Sequence, residues 1–192
     1  MATINGKALV RDGKPLDRAY SNGVLVYNRN LLIGTNSNTK SSLNAGSGSY
    51  TTQYIAFDNG YKYNLSFTKP SNNWAIYLFS GLQKDKFKPD TDYALSFKAN
   101  VSTDIKPFVA FANAGGQYNF IKQVTFPTIL SSNGDQEVII QLKTNSSIPD
   151  ESDQSLYIDG LINKVISFSI WDLKIETGEI ATDWTPAPED YI

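Results

Sequence analysis

No stretch of about ten to fifteen residues in this chain repeats its apolar positions every 3.6 residues, so no amphipathic helix is written into it. The apolar residues come instead in short runs, alternating or continuous, broken by Asn-Gly, Gly-Gly and proline. Tyr54-Ile55-Ala56-Phe57, then Asp58-Asn59-Gly60, then Tyr61 to Phe67 reads as strand, turn, strand, with Tyr61, Tyr63, Leu65 and Phe67 on one face. Trp74 to Phe79 is a continuous apolar run, the pattern of a central strand buried on both sides. Tyr93 to Ala99 alternates, and Phe108 to Ala112 is apolar and closed by Gly115-Gly116. Tyr118 to Phe126, Glu137 to Leu142 and Lys164 to Ile175 complete the series. Pro70, Pro89, Pro107, Pro127 and Pro149 all fall between runs, where a missing N–H costs nothing. Strands without intervening helices exclude βαβ units, and at least eight of them predict an all-β fold, a jelly-roll β-sandwich.

Residues 1–28 differ from the rest. Thr3 to Val10 and Ser21 to Tyr27 each set short extended runs around an Asn-Gly pair. Both central residues of a type I′ turn need positive φ, which Asn and Gly supply. These residues predict a short N-terminal β-hairpin attachment, too small to hold a core alone, ahead of a sandwich over residues 29–192. Residues 36–50 are almost entirely Asn, Ser, Thr and Gly and predict a loop.

Composition narrows the chemistry. With no His and no Cys, the chain cannot build a Ser-His-Asp triad, a Cys-His pair, a disulfide or a His/Cys zinc site. Seventeen basic and 19 acidic residues give a net charge of −2, which argues against a nucleic-acid partner. No apolar window reaches the length that spans a bilayer, so no membrane partner is expected, and no secretory leader pattern follows Met1. Ser, Thr, Asn and Gly together make up 63 of 192 residues, a neutral polar surface suited to an extracellular or virion protein.

For catalysis only a carboxylate pair or a Ser-Lys dyad remains. Asp58, Asp85, Asp90, Asp104, Asp135, Asp150 and Asp153 sit in turns, where solvation explains them. Asp172 lies inside a strand, with outward-facing as its plain reading and no partner at recognisable spacing. Gly115-Gly116 precedes a strand and lacks a Walker lysine, so it cradles no phosphate. No catalytic residue is therefore assigned and no cofactor is required. Hard oxygen ligands are abundant enough for a structural Ca²⁺, although no EF-hand spacing occurs and no metal ligand can be named.

Saccharide binding suits the composition better. Sugar C–H faces stack on flat aromatic rings, and hydroxyls pair with amides. Asn72-Asn73-Trp74, continuing to Tyr77, places two amides before two aromatics. Asn113, Gln117, Tyr118 and Lys122 form the second candidate group, around the glycine pair that lets backbone approach a ligand. Trp74 in an apolar run suits a core position better than a platform, and Tyr118 is open between the two roles. Tyr50 and Tyr54, beside the polar loop, are a third option. Sequon matches at Asn64, Asn100 and Asn145 are expected by chance in so Asn- and Ser-rich a chain.

The closing segment adds a different kind of information. Trp171-Asp172-Leu173-Lys174-Ile175-Glu176-Thr177-Gly178 leads into Ala181-Thr182-Asp183-Trp184-Thr185-Pro186-Ala187-Pro188-Glu189-Asp190. This resembles the end of carbohydrate-binding modules in tail and baseplate proteins of phages that infect Gram-positive bacteria, with Ile175 in place of a Leu. Arg29-Asn30-Leu31-Leu32-Ile33-Gly34-Thr35 is similar to their opening, Pro89 to Ala99 to their central strand, and Arg18 to Tyr27 to the hairpin that leads into them. Together the similarities bracket residues 18 to 190.

The resemblance implies a non-catalytic module, carried on the virion, that binds host cell-wall polysaccharide or another surface saccharide and has other tail or baseplate proteins as partners. It transfers fold markers and no ligand contacts. Trp184 and the two prolines are expected to pin the C-terminal segment across the sandwich. Two alternatives stand beside it. One is a purely structural tail module. The other is a cell-wall glycosidase, which needs two carboxylates about 5–10 Å apart in a cleft.

Overall fold

The computed structural model describes residues 10–11, 14–35, 50–57, 60–69, 75–80, 82, 84–112, 119–150, 155–159 and 163–191. Among the described residues thirteen strands run in chain order: β1 (Val10–Arg11), β2 (Lys14–Pro15), β3 (Arg18–Ser21), β4 (Val24–Asn28), β5 (Tyr50–Phe57), β6 (Gly60–Phe67), β7 (Ala75–Ser80), β8 (Asp92–Val101), β9 (Phe108–Ala112), β10 (Ile121–Gln123), β11 (Gln136–Thr144), β12 (Ser155–Asp159) and β13 (Ser167–Thr177). A six-stranded sheet has the order β10-β11-β8-β13-β6-β5, and a three-stranded sheet the order β7-β12-β9. Every pairing is antiparallel. This is the all-β jelly-roll sandwich that the pattern of short runs predicts.

Alternation decides which side chains meet between the sheets. From the large sheet come Tyr93, Leu95, Phe97, Ala99 and Val101 of β8, Val138, Ile140 and Leu142 of β11, and Phe168 and Ile170 of β13. From the small sheet come Phe79, Val109, Phe111, Leu156 and Ile158. Phe87, on the connection into β8, closes one end. Its ring centroid lies 5.3 Å from those of Tyr93 and Phe111 and 5.8 Å from that of Phe120. Such tilted pairs add to the area term of burial.

Three features depart from the sequence pattern. The apolar run at 74–79 predicts a central strand, yet β7 lies at an edge. The central position belongs to β12, whose Leu156, Tyr157 and Ile158 are all buried. Leu156 and Ile158 face the main core, and Tyr157 joins Ala110 and Ala112 in a second small cluster. Of the run predicted over 118–126, the described residues pair in strand register at Ile121–Gln123, and Val124 N–H still donates to Gln141 O at 2.7 Å. The buried Gln123 carboxamide bonds the neighbouring segments, accepting the Val109 N–H at 2.8 Å and donating to Pro107 O and Thr125 O. Finally, β13 carries a bulge between Trp171 and Lys174, with Asp172 at φ 55°. The extra residue reverses parity: Phe168 and Ile170 face the core before it, Leu173 and Ile175 after it.

The bulge also marks a change of neighbour. Before it, β13 pairs with β6 from Ser167 to Ile170. Beyond it, the Leu31 N–H donates to Ile175 O, and the Asn30 side chain bonds both Ile175 N and Leu173 O. The chain entering the sandwich thus flanks the second half of its last strand. Asn28 Nδ2 reaches Thr177 O at 2.7 Å, so β4 is tied to the same strand. Asn22 and Gly23 have φ of 50° and 79°, the positive values that a type I′ connection between β3 and β4 requires. The Asn5-Gly6 turn predicted from sequence lies outside the described residues.

The last residues form a strap over the sheet. Thr185, Pro186, Ala187 and Pro188 are buried, and Trp184 Nε1 donates to Leu173 O at 3.2 Å. Glu189 takes ion pairs from Arg29 and Lys86, and Asp190 accepts the Gly34 N–H. Trp184 and the two prolines hold the segment down as the sequence predicts.

Candidate functional site

The strap covers only the second half of β13. Over the first half, the outward side chains of the six-stranded sheet form ordered cross-strand rows. One row runs Gln53, Asn64, Ser169, Asn100, from β5 through β6 and β13 to β8. The row beside it runs Ile55, Lys62, then Trp171, Lys98, Glu137. A third carries Thr51, Ser66 and Ser167. They face outward because the residues between them, Tyr63, Leu65, Phe168, Ile170, Phe97 and Ala99, are committed to the core.

Trp171 is the half-buried centre of this face. Lys62 Nζ lies 4.0 Å from the centroid of its ring, a cation–π contact. Among the described residues the nearest carboxylate to Lys62 is Asp135, 3.9 Å away, and its Oδ1 already accepts Asn100 Nδ2 at 2.7 Å. Asp172 points back across the bulge to Lys98 at 2.9 Å, and this hydrogen bond is the main cause that raises the Lys98 pKa. Ser66 and Ser167 share a hydroxyl–hydroxyl bond of 3.0 Å. Asn64 Oδ1 is buried with no hydrogen-bond donor among the described residues. The surface therefore combines an aromatic plane, amide and hydroxyl groups held in register, and a mixed set of charges. It can stack a flat apolar face and pair with hydroxyls around its edge.

Next to it, under the strap, lie two fully buried charged residues. Lys174 Nζ bonds Thr182 Oγ1 at 2.7 Å and Asp183 O at 2.8 Å, and is 3.6 Å from Glu176. Glu176 in turn accepts the Thr182 N–H and hydroxyl. Burial lowers the Lys174 pKa to about 8 and raises that of Glu176, so desolvation outweighs their attraction at both ends. The pair anchors the strap and is closed to solvent.

The carboxylates of the described residues are largely committed elsewhere. Asp104 accepts both the N–H and the hydroxyl of Ser131, and its pKa is lowered by those bonds. Asp17 and Glu189 pair with Arg29. Among the described residues no group of three or more Asp and Glu is placed to hold a metal ion.

Of the residues singled out from sequence for saccharide binding, only Lys122 and Tyr54 have described side chains. Asn72, Asn73, Trp74, Asn113, Gln117 and Tyr118 lie outside the described residues. Tyr77 pairs in register with Tyr157 on the small sheet, and its side chain is outside the described set, as is that of Tyr50. Lys122 is exposed on β10, across from Lys143, three strands away from Trp171. Tyr54 is 40% exposed and meets Tyr63 edge-on, with ring centroids 5.2 Å apart. Trp171 itself carried a signal: in Ser167-Phe168-Ser169-Ile170-Trp171 the core residues alternate with outward ones, and the Trp falls in the outward phase.

No family model matches the sequence, and no curated protein matches it. Solved structures do match the fold. An arabinose-bound α-L-arabinofuranosidase aligns over 78% of this chain at 15% identity, with a TM-score of 0.55. The chain spans 26% of that enzyme's length. A family 11 carbohydrate-binding module of a cellulosomal cellulase of Clostridium thermocellum aligns over 78% of this chain and 95% of its own, at 16% identity and a TM-score of 0.48. The xylan-binding CBM22-1 domain from Paenibacillus barcinonensis aligns over 80% and 94%, at 13% identity and a TM-score of 0.47. At such identities the likeness is one of fold.

Proposed function

We propose that this chain is a non-catalytic saccharide-binding module and that the outward face around Trp171 is where it binds. The observation that carries the proposal is a half-buried tryptophan on an open sheet face, bordered in register by Asn64, Ser169, Asn100 and Gln53. A sugar ring offers C–H groups to the indole and hydroxyls to the amides, and nothing in that exchange requires a nucleophile, an acid or a cofactor. The solved neighbours include modules described as carbohydrate-binding and xylan-binding, in keeping with this reading. The closing sequence from Trp171 to Asp190 supports placing the module on a phage tail or baseplate, facing the wall polysaccharide of a Gram-positive host. Contacts on so open a face are individually weak, and many copies on one particle raise avidity without new contacts.

The hairpin β3–β4 supports a partner within the virion. Tyr20 and Val24 are 60% and 65% exposed there, an apolar surface suited to attachment. The test is binding of a fluorescent fusion to Gram-positive cells and to their purified wall polysaccharide, with Trp171→Ala in parallel. Saturable labelling that the folded variant loses supports the proposal. A folded wild-type chain that labels no host and binds no wall polysaccharide leaves the structural reading in its place.

A further inference from the structure

The Trp171 face has an unusual occupant, and it comes from the chain itself. The Lys62 ammonium lies over the indole at the place where a ligand would stack. It has no hydrogen-bond acceptor within reach among the described residues, since Asp135 stands at 3.9 Å. The charges around it are unbalanced. Two ammonium groups, Lys62 and Lys98, share the face with three carboxylates, Asp135 beside Lys62 and Asp172 and Glu137 beside Lys98, while Asp183 of the strap acts on both Lys98 and Lys174. Lys98 is committed to Asp172 at 2.9 Å. A face with this excess of carboxylate repels anionic sugars and attracts cationic ones. The indole plane adds its own attraction for a cation.

Resting on the saccharide-binding reading, we propose that the sugar recognised here carries a protonated amino group, and that Lys62 holds over Trp171 the place that group takes. Binding then exchanges one ammonium for another. Lys62 swings out, and the ligand's amine comes to lie over the indole within range of Asp135. Such an exchange favours amino sugars over their N-acetylated or unsubstituted counterparts, because only the amine replaces the cation–π contact that Lys62 gives up.

The test uses the whole chain and a matched pair of probes, a glucosamine oligosaccharide and its N-acetylated form, titrated calorimetrically at about pH 6, where an amine stays protonated. The amine form is expected to bind about tenfold more tightly than the acetylated form. Lys62→Ala removes the competitor and is expected to tighten the amine form by about threefold. Lys143→Ala removes a positive charge from β11, away from Trp171, and is expected to change nothing. Trp171→Ala is expected to abolish binding of both probes. Equal affinity for the two forms, weaker binding in Lys62→Ala, or equal tightening by Lys143→Ala overturns the amine proposal. If wall polysaccharide binds in a Trp171-dependent way while neither oligosaccharide does, the amine proposal fails and the saccharide reading stands. If no saccharide binds a folded chain, both fail.

Discussion

Asn30 provides the sharpest test of how the ends of the chain are tied to the sandwich. Its side chain is completely buried. Oδ1 accepts the N–H of Leu32 at 3.0 Å and of Ile175 at 3.2 Å. Nδ2 is shared among Thr35 Oγ1, Leu173 O and Thr185 O at 3.1–3.2 Å. One carboxamide thus links the entering chain, the last strand and the strap. Asn30→Ala leaves two buried N–H donors without acceptors and the Thr185 carbonyl without its donor. Leu173 O keeps Trp184 Nε1. An orphaned buried group costs about 1–3 kcal/mol, so the three together should cost at least about 3 kcal/mol. Against a typical total of about 5–15 kcal/mol, that is a large share. Urea unfolding followed by tryptophan fluorescence measures it. Asn145→Ala is the control: that side chain is exposed and makes one bond among the described residues, Nδ2 to Asn119 O, so its loss should cost less than about 1 kcal/mol. A loss below about 1 kcal/mol for Asn30→Ala would refute the claim that this side chain joins the three segments.

Two further predictions follow from burial. Leu156 is wholly buried on β12, so Leu156→Ala should cost about 2–5 kcal/mol in a denaturant titration; a surface-like cost would contradict its central place in the small sheet. The Lys174 pKa lies near 8 in the fold, below its ordinary 10.5, so the unfolded chain binds more protons between those values. Stability of the wild-type chain should then rise with pH across that window relative to a Lys174→Met/Glu176→Gln double variant, which lacks both titrations. Parallel stability–pH curves for the two proteins would show that Lys174 is not desolvated in the fold.

The fold was legible where neighbouring residues carry it. Alternation in Tyr93 to Ala99 and the apolar run Phe108 to Ala112 each specify one strand. Asn22-Gly23 specifies its turn by backbone conformation alone. What escaped depends on distant partners. The run Leu156-Tyr157-Ile158 is too short to announce itself, and only two flanking strands make it central. The bulge at Trp171–Lys174 reverses parity where the neighbour of β13 changes from β6 to the distant segment at Asn30 and Leu31. Lys174 and Glu176 alternate with core residues like any solvated pair; it is the strap, contributed by Thr182 to Thr185, that buries them. The candidate site was hidden for the same reason. Lys62 and Trp171 are far apart in sequence and meet only across β6 and β13.

The most direct test of saccharide binding at this face is a titration of purified Gram-positive wall polysaccharide into the wild-type chain and the Trp171→Ala variant, each shown by circular dichroism to be folded. Saturable binding by the wild type, weakened at least about tenfold in the variant, is the predicted result. Equal affinity for the two proteins would place the ligand elsewhere on the molecule and contradict the assignment of this face.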